Sequence, residues 1–454
     1  MTDTTTACWA GAAQVDTTPP LGTVINGDFV THYATSIHDP LYTKALVLRK
    51  DRITLALIVV DICVMGQELL DHTKNLIAEA HGIPPGHVLI SSTHTHASGA
   101  VEEVHLVQAD LAYRENLPGL ILQAVSNALG KLQPAKIAFG KTPAPEHVRC
   151  RRYRMDSSYV PVNPVSGLSD KIKTNPFGVE GQILRPVAVP DPELSFLAVK
   201  GLNGQWISVV GNYSLHYVGD WENGTVSADY FGVFSNALKR ELNASDDFVG
   251  MMSNGTSGDI NIWDFLDQDK YPKELFAKSK LIGEDLASKV IAVLPELDWE
   301  ENPELGAVYQ ERMIARRMPS KEELEKATNV LKTGKLEYLI PDMEGWKKLY
   351  AREQLLLAEF PTSATVPLQV LQIGSGKIGA LPGEFFASTG LHIKAIVPSS
   401  YFTITLANGN VGYVPPAEEL ANGGYETWRC RISNLHEEAE EEIRLALIAL
   451  ITAD

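Results

Sequence analysis

The chain has 454 residues, of which 44% are hydrophobic and 21% charged, so it can bury a large core and is not globally disordered. Its 39 basic and 56 acidic residues give a formal charge of −17, which argues against nucleic acid or an anionic membrane surface as a partner. No run approaches the roughly 18 apolar residues of a membrane-spanning helix. The first residues also lack the basic and apolar regions of a secretion signal, so we expect a cytoplasmic protein without stable membrane association.

The first informative elements form a βαβ unit. Residues Ile53 to Cys63 are almost continuously apolar, which predicts a strand buried on both faces. Residues Gln67 to His81 place apolar side chains at helical spacing, and Gly82 ends that helix. A second strand is predicted from His87 to Thr93. Asp61 and the Thr-His-Thr-His tetrad then lie at the carboxyl ends of parallel strands, where open α/β sheets place their ligand sites.

The later elements alternate between helices, hairpins and one long loop. Hairpins are predicted from Leu194 to Leu215 and from Leu368 to Phe386, and a loop from Glu146 to Pro190. Further strands are predicted at 132–140, 248–254 and 403–407, and helices at 110–132, 229–242, 320–360 and 434–451. No linker with a change in composition divides the chain. We therefore expect one domain over residues 1–454, although about 150 residues per domain would allow three.

The cysteines do not suggest a disulfide framework or a metal motif. They lie far apart and form no Cys-x-x-Cys pair, at positions Cys8, Cys63, Cys150 and Cys430. Reduced, buried thiols are therefore expected.

A pair of histidines gives the sharpest local signal. His94 and His96 are two residues apart at the end of a predicted strand, so both imidazoles could face one ion or substrate. The alternative is a pair of surface histidines in a polar turn. His216 also ends a predicted strand, and Glu384 follows Leu-Pro-Gly at the end of another. Two histidines, a carboxylate and one more oxygen ligand would complete a hydrolytic zinc site, but the pattern alone does not show which side chains converge.

A series of short motifs resembles the neutral/alkaline, non-lysosomal ceramidase family, which are zinc-dependent hydrolases of the N-acyl amide bond. The matching segments cover nearly the whole chain, in the order AGAAQVDTTPPLG, IHDPLYTKALVL, SSTHTHASG, RRYRMD, the segment around His216, SADYFG, NGTSGDIN, LPGEFF, GYVPP and GGYETW. The predicted fold class is therefore a mixed α/β catalytic domain with parallel βαβ units and β-hairpins around a central zinc site. A helical insertion is expected at about 320–360.

The resemblance implies the zinc ligands residue by residue. They would be His94, His216, Glu384 and Tyr413, with Zn²⁺ as the cofactor. Other interpretations remain open for two of them. Glu384 could be a carboxylate favoured at a helix N-terminus, and Tyr413 a core aromatic with a satisfied hydroxyl.

The resemblance also implies catalytic and substrate-binding groups. His96 would contact substrate or transfer a proton, and Tyr425 would hydrogen-bond the carbonyl oxygen as it becomes an oxyanion. Arg151 matches the substrate-contacting arginine of the family, with Cys150 in place of the preceding asparagine, and Arg152 is the alternative.

The Gly258-Asp259-Ile260-Asn261 run carries two further predictions. Asn261 stands where ceramidases carry a serine and is predicted to be catalytic. Asp259 is predicted to bind substrate, or, like Asp61, to orient a histidine or stabilise a turn or cap.

Departures from the family pattern bear on the substrate. Asn261 replaces the serine, and we expect neither the C-terminal immunoglobulin-like domain of the lipid-active enzymes nor a secretion signal. The hypothesis is a zinc hydrolase that uses activated water to cleave an amide, or an ester or lactone, in a small soluble molecule. The loop at 146–190 and the helical segment at 320–360 would shape its pocket. The alternatives are a true ceramidase acting on N-acylsphingosine and a non-catalytic ceramidase-like binding protein; a homo-oligomer is left open.

Overall fold

Two β-sheets that pack face to face organise the chain, and the computed structural model describes it over residues 7–267, 269–332, 343–397 and 400–453. The strands of the first half are β1 (Trp9–Asp16), β2 (Val24–Asn26), β3 (His32–Tyr33), β4 (Ser36–Ile37), β5 (Tyr42–Lys50), β6 (Ile53–Val60), β7 (Val88–Ser92), β8 (Ser98–Gly99), β9 (Gln133–Pro143), β10 (Arg149–Cys150), β11 (Arg152–Met155), β12 (Lys173–Thr174), β13 (Ile183–Pro186), β14 (Glu193–Gly201) and β15 (Trp206–Tyr213). Those of the second half are β16 (Thr225–Val226), β17 (Val249–Asn254), β18 (Ile260–Asn261), β19 (Leu305–Ala315), β20 (Ser363–Ile373), β21 (Gly376–Ala380), β22 (Glu384–Phe385), β23 (Tyr401–Ile404) and β24 (Tyr413–Val414).

Helices cover the outer faces of both sheets. They are α1 (Gln67–His81), α2 (Leu111–Leu129), α3 (Asp229–Glu241), α4 (Ala277–Val293), α5 (Lys321–Leu331), α6 (Met343–Leu357), α7 (Ala387–Lys394), α8 (Ala417–Asn422) and α9 (Ala439–Thr452). Helices α1 to α4 pack on the larger sheet, and α7 and α9 pack on the smaller one. Among the described residues, none of the helices combines the length and apolarity needed to cross a lipid bilayer.

The larger sheet has eight strands in the order β17-β15-β14-β9-β1-β5-β6-β7. Its interior pairs are antiparallel, whereas the edge pairs β15/β17 and β6/β7 are parallel. The smaller sheet has the order β19-β20-β21-β23, and its β21/β23 pair is parallel. The mixed α/β fold class is therefore confirmed, with an arrangement of helices, sheet, sheet and helices in four layers.

Strand β6 shows why the two sheets stack. Leu55, Leu57 and Val59 face the core between the sheets, while Ile58 and Val60 pack with α1 and α2. Successive side chains of a strand point to opposite faces, so an uninterrupted apolar run buries both faces. The prediction of a fully buried strand is confirmed, and α1 begins and ends at the predicted residues, with Gly82 in the left-handed conformation at φ 68°.

The segment predicted as a loop at 146–190 differs from the prediction. It contains β10 to β13, each of two to four residues. Such strands are too short to show alternation and exist through pairing with each other and with β18. The pattern at 320–360 is confirmed as α5 and α6, although residues 333–342 of that prediction lie outside the described residues.

The three parallel strand pairs of the two stacked sheets end in the same region. His94 follows β7, His216 follows β15, and Glu384 follows β21 after the turn at residues 381–383. A backbone bridge between Ser91 and Ala407 ties the rims of the two sheets together beside this point. Polar side chains at the carboxyl ends of parallel strands therefore meet where the sheets join, the position at which α/β folds bind ligands.

Candidate metal centre and its cavity

His94 is held in a strained conformation at the end of β7. Its backbone φ is 75°, in the left-handed region that costs a residue with a side chain roughly 1–3 kcal/mol. The backbone N–H donates to Ile62 O at 2.9 Å, and Nδ1 donates to Cys63 O at 2.9 Å. A carbonyl can only accept, so Nδ1 carries a proton and Nε2 is the nitrogen that faces Glu384. This is the usual arrangement of a metal-binding histidine.

Glu384 and His216 complete a group of three donors. Glu384 Oε2 lies 3.4 Å from His94 Nε2 and 4.0 Å from His216 Nδ1. Ligand atoms of the three residues all lie within 4.8 Å of one another. Oε2 is buried and has no hydrogen-bond partner among the described residues. A buried unpaired carboxylate oxygen is costly, and a cation shared with the two imidazoles would satisfy it.

The donor chemistry fits zinc. Two histidine nitrogens and one carboxylate oxygen are a recurrent ligand set for catalytic zinc, which leaves a coordination position open. Burial and the neighbouring His94 lower the pKa of His216 well below its usual value, so this imidazole is neutral as a ligand must be. Burial also lowers the pKa of His94, but Cys63 and Glu384 outweigh it and raise that pKa well above the usual value.

Tyr413 stands next to Glu384 because β22 and β24 pair in parallel with these two residues in register. Its hydroxyl accepts a hydrogen bond from Arg151 Nη2 at 3.1 Å. Arg151 is held in turn by Glu426 Oε1 at 2.8 Å and by Gly258 O at 2.7 Å. Arg151 therefore satisfies the Tyr413 hydroxyl, as in the core-aromatic alternative, while the strand pairing places Tyr413 next to Glu384.

His96 lies against the same group from the other side. Its Nε2 is 3.1 Å from His94 Nε2, and its ring stacks on Tyr217 with centroids 3.6 Å apart. Gly27 is in the left-handed region at φ 112°, and a Cβ there would lie 2.4 Å from His96 Cβ. The close approach of Gly27 thus fixes the ring next to the donors.

A cavity of about 430 Å³ opens above these residues. Tyr425 lines it, and the Tyr425 hydroxyl makes no hydrogen bond with the described residues. Burial raises the pKa of Tyr425 well above its usual value, so the hydroxyl stays protonated and can donate. Trp346 of α6 and residues 159–162 and 172–177 also line the cavity, which confirms that both predicted segments shape the pocket.

Five predicted site residues do not line the cavity. His94 and Glu384 lie within 4.0 Å of the lining residues His96 and His216. The other three are Arg152, Asp259 and Asn261. Arg152 is fully buried, and all its side-chain nitrogens are engaged by Glu419, Glu426 and the Gly423 carbonyl. Asp259 Oδ1 accepts from the Ala387 backbone N–H at the start of α7. Asn261 Nδ2 donates to Asn175 Oδ1 at 2.6 Å, and it is Asn175 that lines the cavity.

Asp61, which was predicted to orient a histidine or to stabilise a turn or cap, has a structural role. It orients no histidine among the described residues and instead accepts hydrogen bonds from Lys44 Nζ at 3.3 Å and the Tyr42 backbone N–H at 2.9 Å. The four cysteines are buried and free, as predicted.

Glu426 is the functional residue that the sequence did not reveal. It is fully buried and accepts from Arg151, Arg152 and Thr174 at 2.7 to 2.8 Å. The ion pairs with Arg152 and Arg151 outweigh burial and lower the pKa of Glu426. Its position beside Tyr425 was the available signal, but its partners lie more than 250 residues away in the chain.

Comparison with known proteins gives similarity at the level of structure. No protein-family model matches the chain, and no curated protein matches it in sequence. The neutral ceramidase from Pseudomonas aeruginosa is similar with a TM-score of 0.74 and 17% identity, over 99% of this chain and 74% of that one. A ceramidase complexed with C2 is similar with a TM-score of 0.73 and 16% identity, over 99% of this chain and 75% of that one. The chain therefore has a neutral ceramidase-like fold.

Proposed function

We propose that this chain is a zinc-dependent hydrolase that cleaves an amide bond in a small soluble substrate. The supporting observation is the buried Glu384 Oε2, which has no hydrogen-bond partner among the described residues and lies between the nitrogens of His94 and His216. His216 lines the cavity. When bound there, zinc would supply a water of lowered pKa and polarise the scissile carbonyl. An ester or lactone would meet the same groups, and the fold similarity favours the amide.

The surrounding residues each have a task in this reaction. The Cys63 carbonyl holds the His94 tautomer, and the pair of Arg151 and Glu426 holds the Tyr413 oxygen. Tyr425 donates a hydrogen bond from its hydroxyl to the carbonyl oxygen as negative charge develops there. His96, at the edge of the donor group, holds or moves a proton at Nε2 and delivers it to the departing amine.

Replacement of the histidines tests this proposal. Wild-type protein is expected to bind about one zinc per chain. His94→Ala and His216→Ala should each lose the metal and lower amide hydrolysis by more than ~10³-fold, because water activation is lost. Metal analysis and a panel of soluble amides measure both effects, and His72→Ala on the exposed side of α1 is the matched control. Full zinc and full activity in the two site variants would contradict the assignment.

A ceramide substrate is the second candidate, because both similar structures are ceramidases. The two candidates are separated by the rate on long-chain N-acylsphingosine in detergent micelles, compared with that on water-soluble N-acyl compounds. We expect the soluble compounds to be hydrolysed faster. A large preference for N-acylsphingosine would establish the second candidate instead.

A further inference from the structure

The lining of the active cavity has a charge opposite to that of the chain. Lys173 and Arg151 line it, and no Asp or Glu is among its described lining residues. Four further cavities among the described residues each have at least one carboxylate in their lining. In a protein of formal charge −17, a cationic cavity without carboxylates concentrates anions at this one place.

Lys173 is the cation with unused binding capacity. Its backbone is fixed by pairing with Tyr153 on the neighbouring strand β11. The ε-ammonium group forms no ion pair or hydrogen bond with the described residues. Arg151, in contrast, already donates hydrogen bonds to Glu426, Gly258 O and Tyr413.

The carboxylates that act on the Lys173 charge are bound by other donors. Asp170 accepts from Trp428 Nε1 at 2.7 Å and from the Gly424 backbone N–H at 3.0 Å. Glu426 is shared by two arginines and Thr174. Lys173 therefore has three N–H donors in a partly buried site, and none of them is hydrogen-bonded to a described residue.

Asn175 adds a second donor two residues later. Its Oδ1 accepts from Asn261 Nδ2, which fixes the carboxamide and leaves its NH₂ group without an acceptor among the described residues. Asn175 lines the cavity together with Lys173. An ammonium and an amide NH₂ on one short segment form a pair of donors suited to the two oxygens of a carboxylate.

Aromatic side chains also line the cavity. Phe29 contacts Trp346 edge to face with centroids 4.7 Å apart, and it contacts Tyr425 at 5.6 Å. Trp428 packs near Trp346 at 6.1 Å. These rings offer apolar surface for a compact group.

We propose that Lys173 and Asn175 form an anion-binding subsite and that the substrate is an amide carrying both a carboxylate and a compact apolar group, such as an N-aroyl amino acid. The identity of the cleaved bond rests on the proposed function above. The subsite itself is a statement about binding, and its test compares affinities rather than rates.

The test measures affinity for two probes of the same shape. N-benzoylglycine carries the carboxylate, and N-benzoylglycinamide replaces it with a neutral carboxamide. By calorimetry, wild-type protein should bind the acid about 10–100-fold more tightly, the difference expected from a hydrogen-bonded charge in a partly buried site. Lys173→Met should reduce this preference to about one, and Lys173→Arg should retain most of it.

Lys171→Met is the matched control. Lys171 is an exposed lysine two residues earlier, and the substitution makes the same change in net charge outside the cavity. It should keep the wild-type preference. Equal affinity of wild-type protein for the two probes, absence of binding of both, or an equal loss of preference in Lys171→Met overturns the subsite. Preference for the acid without hydrolysis of any amide supports the subsite and contradicts the proposed function.

Discussion

The floor and the wall of the cavity are built in different ways. The floor is the group of His94, His216 and Glu384, whose residues follow strands of the two stacked sheets by two to four positions. The wall is formed by residues 159–177, Trp346 and residues 424–428, which stand on short strands, helix ends and turns. The sheets fix the floor through continuous backbone pairing, whereas ion pairs and ring contacts between distant segments fix the wall. In the proposed function, reaction chemistry therefore depends on the sheets, and substrate selection depends on long-range side-chain contacts.

Glu426 is the contact that joins wall and floor, so its loss should have the largest effect on the wall. Glu426→Gln keeps the shape of the side chain but leaves Arg151 and Arg152 buried without a shared counter-charge. Breaking a buried ion pair on one side costs about 3–5 kcal/mol in the free energy of unfolding. Urea unfolding at neutral pH measures this loss.

The pH dependence and a neighbouring carboxylate sharpen the same test. The folded-state pKa of Glu426 is lower than its ordinary value of 4.5, so its stabilisation is present above pH 4.5 and is lost as the pH falls through the lowered pKa. The difference in the free energy of unfolding between wild type and Glu426→Gln should therefore shrink in acid.

Glu419→Gln removes a carboxylate that pairs with Arg152 alone and should lower the free energy of unfolding by about 1–2 kcal/mol. Equal costs for the two variants at neutral pH would show that Glu426 does not join the two regions.

Trp346 tests whether the wall acts on binding independently of the floor. Trp346→Ala removes an aromatic surface that contacts Phe29 and Trp428, without touching a floor donor. We expect KM for soluble aromatic amides to rise about 10-fold, as for the loss of a buried aromatic anchor, with kcat lowered less than about threefold. Steady-state kinetics and zinc content check this. Trp9→Ala, an exposed tryptophan outside the cavity, is the control, and loss of zinc in Trp346→Ala would contradict the separation of wall and floor.

The contrast between floor and wall also explains what could be predicted from sequence. The strand at Ile53–Val60 and helix α1 have strong local periodicity, so the end of β7 and the position of His94 followed from the chain itself. Glu384 was indicated by a short segment after a hairpin strand. The contact of Arg151 with Glu426 spans 275 residues, and no local pattern records it. Strands β10 to β13 were not predicted for the same reason, because they form only through pairing with other strands.

Replacement of Asn261 has the smallest expected effect. It distinguishes a role in the wall, where the structure places Asn261, from the catalytic role that the sequence predicts. Its Nδ2 donates to Asn175 Oδ1, and it does not line the cavity. Asn261→Ala should therefore leave kcat within about threefold and raise KM for a carboxylate-bearing amide about 2–10-fold, the range for one lost hydrogen bond. Asn261→Ser restores the residue expected from ceramidases, and its KM should lie between those of the wild-type protein and Asn261→Ala. A fall in kcat of more than about 10²-fold with KM unchanged would instead assign Asn261 to proton transfer at the floor.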